Sequence, residues 1–147
     1  MKSGLSINSA VIAGLAATVA MTILTFMAPL MGVEMNIPAM LAGTMGAPII
    51  VGWLAHFMIG IIMAIGFAVL FLPKFGSQNN IKSGAIFSLI PWLMAQIIVM
   101  PMMAAMSGGS FTAGLFSGSM LLAGASLMGH LLYGSVLGFI YKPSTIV

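Results

Sequence analysis

The side chains best suited to chemistry in this sequence are two histidines, His56 and His130, and there are no others of their kind. Each lies in a long uncharged apolar run, about 8 to 11 residues in from one end. At 1.5 Å of helical rise per residue that is a depth of about 12–17 Å, near the middle of a bilayer's apolar core. Small residues bracket each ring at four-residue spacing: Gly52 and Gly60 around His56, Ser126 and Gly134 around His130. Residues four apart share a helix face. Small groups on that face either let another helix approach closely or leave room for a flat ligand. An ionisable ring at such depth faces protein and is a functional candidate. Three roles fit the pair. Two neutral imidazoles from two helices could ligate the iron of a b-type haem axially. They could line a quinone or small-solute site. Or each could bond a backbone carbonyl or a polar group such as Thr18, Thr22, Ser88 or Gln96 and lock the helices together.

Methionine is the second candidate. The chain has 16, nine of them in two stretches, Met27 to Met45 and Met100 to Met106. Thioethers suit Cu(I), which makes Met31, Met35, Met103 and Met106 candidate copper ligands; the competing role is adaptable apolar filling. Pro91 lies inside the third apolar run, with Pro29 and Pro101 near the ends of the first and third. Each proline frees a carbonyl and bends its helix. No acid or lysine lies within any run, so the carboxylate relay of proton-coupled transport is missing. There is no nucleophile–base–acid set, no phosphate loop and no cysteine. Catalysis on a soluble substrate, disulfides and thiolate metal sites are therefore not expected.

The elements that position these residues follow from composition. Hydrophobic residues make up 61% and charged residues 3%, whereas a soluble domain carries roughly a quarter charged residues. Lipid must therefore solvate most of the chain. A membrane helix needs about 20 apolar residues, and four stretches supply them: about 7–31, 48–72, 83–106 and 119–141. The runs are continuous, without the alternation of barrel strands. The expected fold is one all-α domain over residues 1–147, with four transmembrane helices in two hairpins. Pro73 and Lys74 are expected to end the second helix, and Trp53 and Tyr141 to sit at the two membrane interfaces. The first run is about twice as long as a signal peptide's apolar core and is read as a retained helix.

Lys2, Lys74, Lys82 and Lys142 fall on one side of such a four-helix arrangement and Glu34, the only acid, on the other. Lysine excess marks the cytoplasmic face, which puts both termini inside. The net charge of +3 comes from isolated lysines, which gives nucleic acid no basic patch to bind.

Residues 38–60 align with 112–134 without a gap, superposing Ala39, Leu41, His56 and Gly60 on Ala113, Leu115, His130 and Gly134. The first and third runs also end alike, in Met-Ala-Pro-Leu-Met and Met-Pro-Met-Met. This predicts two duplicated hairpins about a pseudo-twofold axis along the membrane normal. Both external loops are apolar and nearly uncharged, and Asn36-Ile37-Pro38 and Ser110-Phe111-Thr112 could each cap a short interfacial or re-entrant helix.

The last helix, Met128-Gly129-His130-Leu131-Leu132-Tyr133-Gly134-Ser135-Val136-Leu137-Gly138, resembles that of small bacterial membrane proteins grouped as a domain of unknown function, in which Gly-His precedes an aromatic-Gly pair and a further glycine. Gly52-Trp53-Leu54-Ala55-His56-Phe57-Met58-Ile59-Gly60 fits the same family. The resemblance covers nearly the whole chain and implies a compact four-helix unit in a bacterial inner membrane, with no activity attached. The expected function is a non-catalytic accessory or structural subunit, embedded in the lipid bilayer beside other membrane subunits or copies of itself in a respiratory or transport assembly. The alternatives are a haem- or quinone-binding electron-transfer unit using His56 and His130, and a small oligomeric channel or carrier.

Overall fold

The structure, a computed structural model, describes residues 3–75 and 79–145. Lys2 and the tip of the middle loop, both used in reading the topology, lie outside the described residues. Four helices are long and apolar enough to cross a membrane: Ile7–Leu30, Ile49–Lys74, Ile81–Met106 and Met120–Ile140. Their ends agree with the expected spans to within two residues. The chain is a multi-pass all-α membrane protein.

The first span is α1 (Ile7–Met27) with a tight 3-10 turn, Ala28–Met31, around Pro29. A short helix α2 (Ile37–Thr44) follows in the loop at the end of the bundle away from the termini, labelled outer for reference, its first N–H groups capped by the Asn36 side chain, which accepts from Ala39 N at 3.0 Å. The second span is α3 (Ile49–Gly66), a π turn (Phe67–Phe71) and α4 (Leu72–Phe75). The third is α5 (Ile81–Met94), a π turn (Ala95–Val99) and α6 (Met100–Met106). A 3-10 segment (Phe111–Gly118) leads to α7 (Met120–Ile140). Both outer loops thus hold a short helical element, as their caps predicted.

Two boundaries differ from expectation for local reasons. The third span starts at Ile81 because Asn80 and Ser83 form a reciprocal capping box, Ser83 N to Asn80 Oδ1 at 2.9 Å and Asn80 N to Ser83 Oγ at 3.1 Å. The second span does not end at Pro73 but continues to Phe75. A proline lacks its N–H and its ring crowds the carbonyl four residues back. Pro73 and Pro101 each lie two residues beyond a π turn, and the crowded carbonyls, those of Val69 and Ile97, fall inside those turns. There the backbone bonds five residues back, Leu72 N to Phe67 O and Met100 N to Ala95 O. The wider turn absorbs the proline and the helix goes on.

α1 packs against α3 and α7, and α7 packs against α5. Lipid gives helices no hydrophobic reason to associate, so they approach through small residues. Ala10, Ala13 and Ala17 of α1 are fully buried. A Cβ placed on Gly14 would sit 2.9 Å from Ala64 Cβ. The result is an open arc in the order α3, α1, α7, α5. Its two ends meet where the termini lie, through Phe67 and Phe87 with ring centroids 5.3 Å apart and Phe71 and Phe87 at 5.4 Å. Tyr141 is expected at an interface but is buried in this aromatic cluster, 6.0 Å from Phe67; its hydroxyl and its carbonyl accept from Ser6 N and Asn79. A two-residue pairing of Ser3–Gly4 with Ser144–Thr145 ties the chain ends on the same side.

The two hairpins share a layout but not their contacts. α1 crosses to α7, yet the corresponding pair, α5 and α3, packs only through the inner aromatic cluster. The first span ends in a tight turn at Pro29, whereas the third stays helical through Pro101.

Candidate functional site: a cavity between the second and third spans

Because α3 and α5 do not pack along their outer halves, a cavity of about 690 Å³ opens between them, within the roughly 300–1,000 Å³ usual for small-molecule sites. His56, Ile59, Gly60 and Met63 form one wall, at the spacing of a single helix face. Pro91, Met94, Ala95, Gln96 and Val99 form the other. Thr18 and Met21 of α1, with Ser126, His130 and Tyr133 of α7, make the floor. The aromatic cluster closes the inner end, while Met40 and Leu41 of α2 and residues Glu34 to Asn36 border the outer end. Ile59 of α3 and Met94 of α5 both line the cavity and are both well exposed, so the opening lies on the side of the helices, where lipid would be.

Both histidines line this cavity, and each is fixed by one nitrogen. The Thr18 hydroxyl donates to Gly14 O at 2.7 Å and that of Thr22 to Thr18 O, also at 2.7 Å. A threonine has one O–H, so Thr22 Oγ1 can only accept from His56 Nε2, 2.9 Å away. That puts the His56 proton on Nε2 and the lone pair of a neutral ring on Nδ1. His130 is the mirror case. Its Nδ1 lies 2.8 Å from Ser126 O, a carbonyl that can only accept, so Nδ1 carries the proton and Nε2 the lone pair. Neither lone-pair nitrogen has a partner, and neither is among the sealed unpaired polar atoms of the described residues. The roles of helix lock and ligand contact, alternatives on the sequence, are thus divided between the two nitrogens of each ring. Axial haem ligation by both rings would use His56 Nδ1, or His56 Nε2 after release from Thr22, together with His130 Nε2.

Thr22→Val keeps the volume of the side chain and leaves His56 Nε2–H without an acceptor. We expect it to lower stability by about 0.6–1.7 kcal/mol, the span measured for polar contacts between membrane helices. Thermal unfolding in mild detergent would show this, and an unchanged midpoint would remove Thr22 as the partner of His56.

Gln96 is an almost wholly enclosed polar side chain of the cavity, only 1% exposed. Its amide donates to Ser126 Oγ at 3.2 Å, and its carbonyl accepts from Ser117 Oγ at 2.8 Å. Ser117 and Phe116 have φ of 57° and 49°, left-handed values that cost a non-glycine residue roughly 1–3 kcal/mol. That strained turn brings the Ser117 hydroxyl down onto Gln96.

The small residues play a narrower part than their spacing allows. A Cβ on Gly52 would lie 2.0 Å from Pro38 O of α2, one on Gly60 1.8 Å from Thr18 Oγ1, and one on Gly134 2.2 Å from Gly84 O. The room they leave is filled by neighbouring helices, not held open for a flat ligand. Ser88, expected in the polar lining, is buried against Gly134 and bonds Ala85 O at 2.7 Å. Met35 and Met103 border the cavity, but Met106 is 63% exposed, so these methionines do not converge as a copper set would; the Met31 side chain lies outside the described residues. Among the described residues no three His, Asp or Glu side chains gather as a metal site. Tyr133 was missed as a site residue. Its hydroxyl donates to Gly60 O at 2.5 Å, bridging α7 to α3, and its place one turn after His130 is the signal that could have found it.

The chain matches the model of a family of unknown function, DUF6789, over residues 5–145. No curated protein and no solved structure matches it.

Proposed function

We propose that this chain, which belongs to that family of unknown function, is a non-catalytic membrane protein that binds a lipid-soluble small molecule in the cavity between α3 and α5. The observation that carries this reading is the cavity itself: apolar walls, a lateral opening, and two histidine lone pairs near mid-membrane. A water-soluble solute would cross lipid to reach such an opening, whereas an apolar molecule with one polar end partitions to it directly. A pore through a single chain is disfavoured by the aromatic cluster of Phe67, Phe71, Phe87 and Tyr141, which packs together at the inner end. With negligible mass outside the bilayer, the unit would hand its ligand to, or hold it beside, a larger membrane partner. The chain would lie in a bacterial inner membrane with the lysine-bearing ends in the cytoplasm, as the charge asymmetry favours.

The test is gentle purification from the native membrane, organic extraction and mass spectrometry, with a visible spectrum taken first. About one equivalent of a single apolar compound per chain is expected. A stoichiometric reduced haem band would replace the reading with haem ligation through His130 Nε2. Extracts holding only bulk phospholipid would end it.

A further inference from the structure

Of the hydrogen-bonding atoms along the cavity, the two histidines present acceptors. Thr18 and Tyr133 face it, but each has given its only O–H to a backbone carbonyl, those of Gly14 and Gly60. His56 and His130 have given their N–H groups to Thr22 and to the Ser126 carbonyl. Gln96 is held between Ser126 and Ser117 and almost wholly enclosed. His56 Nδ1 and His130 Nε2 keep open lone pairs; the Ser126 hydroxyl also lines the cavity, and at the outer mouth stand the exposed carboxylate of Glu34, the chain's only acid, and the side-chain amide of Asn36. An imidazole nitrogen whose lone pair is open recognises a donor.

Resting on the function proposed above, we infer that the ligand is a neutral lipid-soluble molecule whose polar end is a hydroxyl group, a long-chain alcohol or phenol, and that this hydroxyl donates to His130 Nε2. His130 is favoured over His56 because its Nδ1–H is anchored on the carbonyl of Ser126, one turn back on its own helix, which leaves the opposite nitrogen, Nε2, as the open one. A ketone or an ether in the same place would set lone pair against lone pair. Of the two redox forms of a quinone, only the reduced one carries the required O–H. An ammonium head would suit Glu34 at the mouth, but carrying that charge to the depth of His130 is strongly unfavourable. A phosphate head would meet the like charge of Glu34.

The probes that decide this are a brominated long-chain phenol and its methyl ether, which differ only in the donor. The full chain is placed in phosphatidylcholine nanodiscs. The reporter is Trp53, whose ring centroid is 6.4 Å from that of His56 and 5.8 Å from that of Phe26, both cavity residues. Saturable quenching of its emission by the phenol is expected at roughly tenfold lower concentration than by the ether, the value of one buried hydrogen bond. In His130→Phe the two should quench alike. Equal quenching in the unaltered chain overturns the donor assignment while leaving the cavity reading in place. A phenol preference that survives His130→Phe overturns the role of His130. If neither probe quenches saturably, the cavity reading and the inference fall together. The unaltered chain alone decides the donor question should His130→Phe fail to fold.

Discussion

Gly84→Ala separates the third and fourth spans and lowers stability by about 3 kcal/mol or more, while Gly124→Ala does not lower it. A Cβ on Gly84 would stand 2.0 Å from Gly134 O and 2.8 Å from Gly138 N. Both are backbone atoms of α7 and cannot rotate aside. α5 can take the methyl only by backing away from α7, which loosens the buried contacts of Ser83, Phe87 and Ser88 and strips Gly138 of its seat against Asn80. Overpacking against movable side chains typically costs about 1–3 kcal/mol, and immovable backbone puts this case at or beyond the upper end. The helix-propensity gain of alanine over glycine, about 1 kcal/mol in water, does not offset it. Gly124 lies on the same helix as Gly134 with nothing within 4 Å of its would-be Cβ. A substitution there should cost no stability and at most bring that propensity gain of about 1 kcal/mol. Thermal unfolding and the monodisperse fraction in mild detergent measure both, and equal midpoints for the two variants would contradict the helix contact described here.

That contrast also marks what could be read before the structure was seen. Gly84, Gly124 and Gly134 look alike in a sequence, and only their opposite numbers distinguish them. The four spans were legible because lipid imposes a length of apolar residues that nothing else in a chain this poor in charge could satisfy. The short outer elements were legible because Asn36 and Ser110 carry cap chemistry that acts within three residues. His56 and His130 were legible as inward groups because an imidazole facing lipid is costly at any register. Which nitrogen each ring exposes was not legible, since it depends on whether Thr22 has already used its proton on Thr18. Nor was the continuation of the second span past Pro73, because the π turn that admits the proline is a geometric answer with no residue type of its own. Ser88 and Gln96 were equivalent polar candidates on one run. They part because Ser88 meets Gly134 across a closed helix contact, while Gln96 sits in the wide turn beside the cavity. Local chemistry is read locally; the side of a helix that is left without a neighbour is decided by the other three.

The unneighboured side is what the second large effect tests. Ile59→Trp should empty the cavity, and Ile62→Trp should not. Both isoleucines are on α3 and both are well exposed, at 43% and 50%. The same large apolar ring is added three residues apart, so lipid exposure and hydrophobic gain are matched. Of the two, only Ile59 lines the cavity, at its exposed side. An indole there occupies the path between α3 and α5, whereas at position 62 it lies in lipid. If a bound molecule at about 100 times its dissociation constant stabilises the native chain by about 2.7 kcal/mol, Ile59→Trp removes that increment. In the ligand-free protein both variants should unfold within about 0.5 kcal/mol of the parent. The co-purifying compound should fall at least tenfold in Ile59→Trp and stay at its parental level in Ile62→Trp. Retention of the compound by both would mean that it is held by the lipid-facing surface at large, and the gap between α3 and α5 would then be a seat for another protein's helix instead of a ligand. Its loss from Ile59→Trp alone, with the fold intact, ties occupancy to that gap. An open arc of helices would then have its reason in the molecule that closes it.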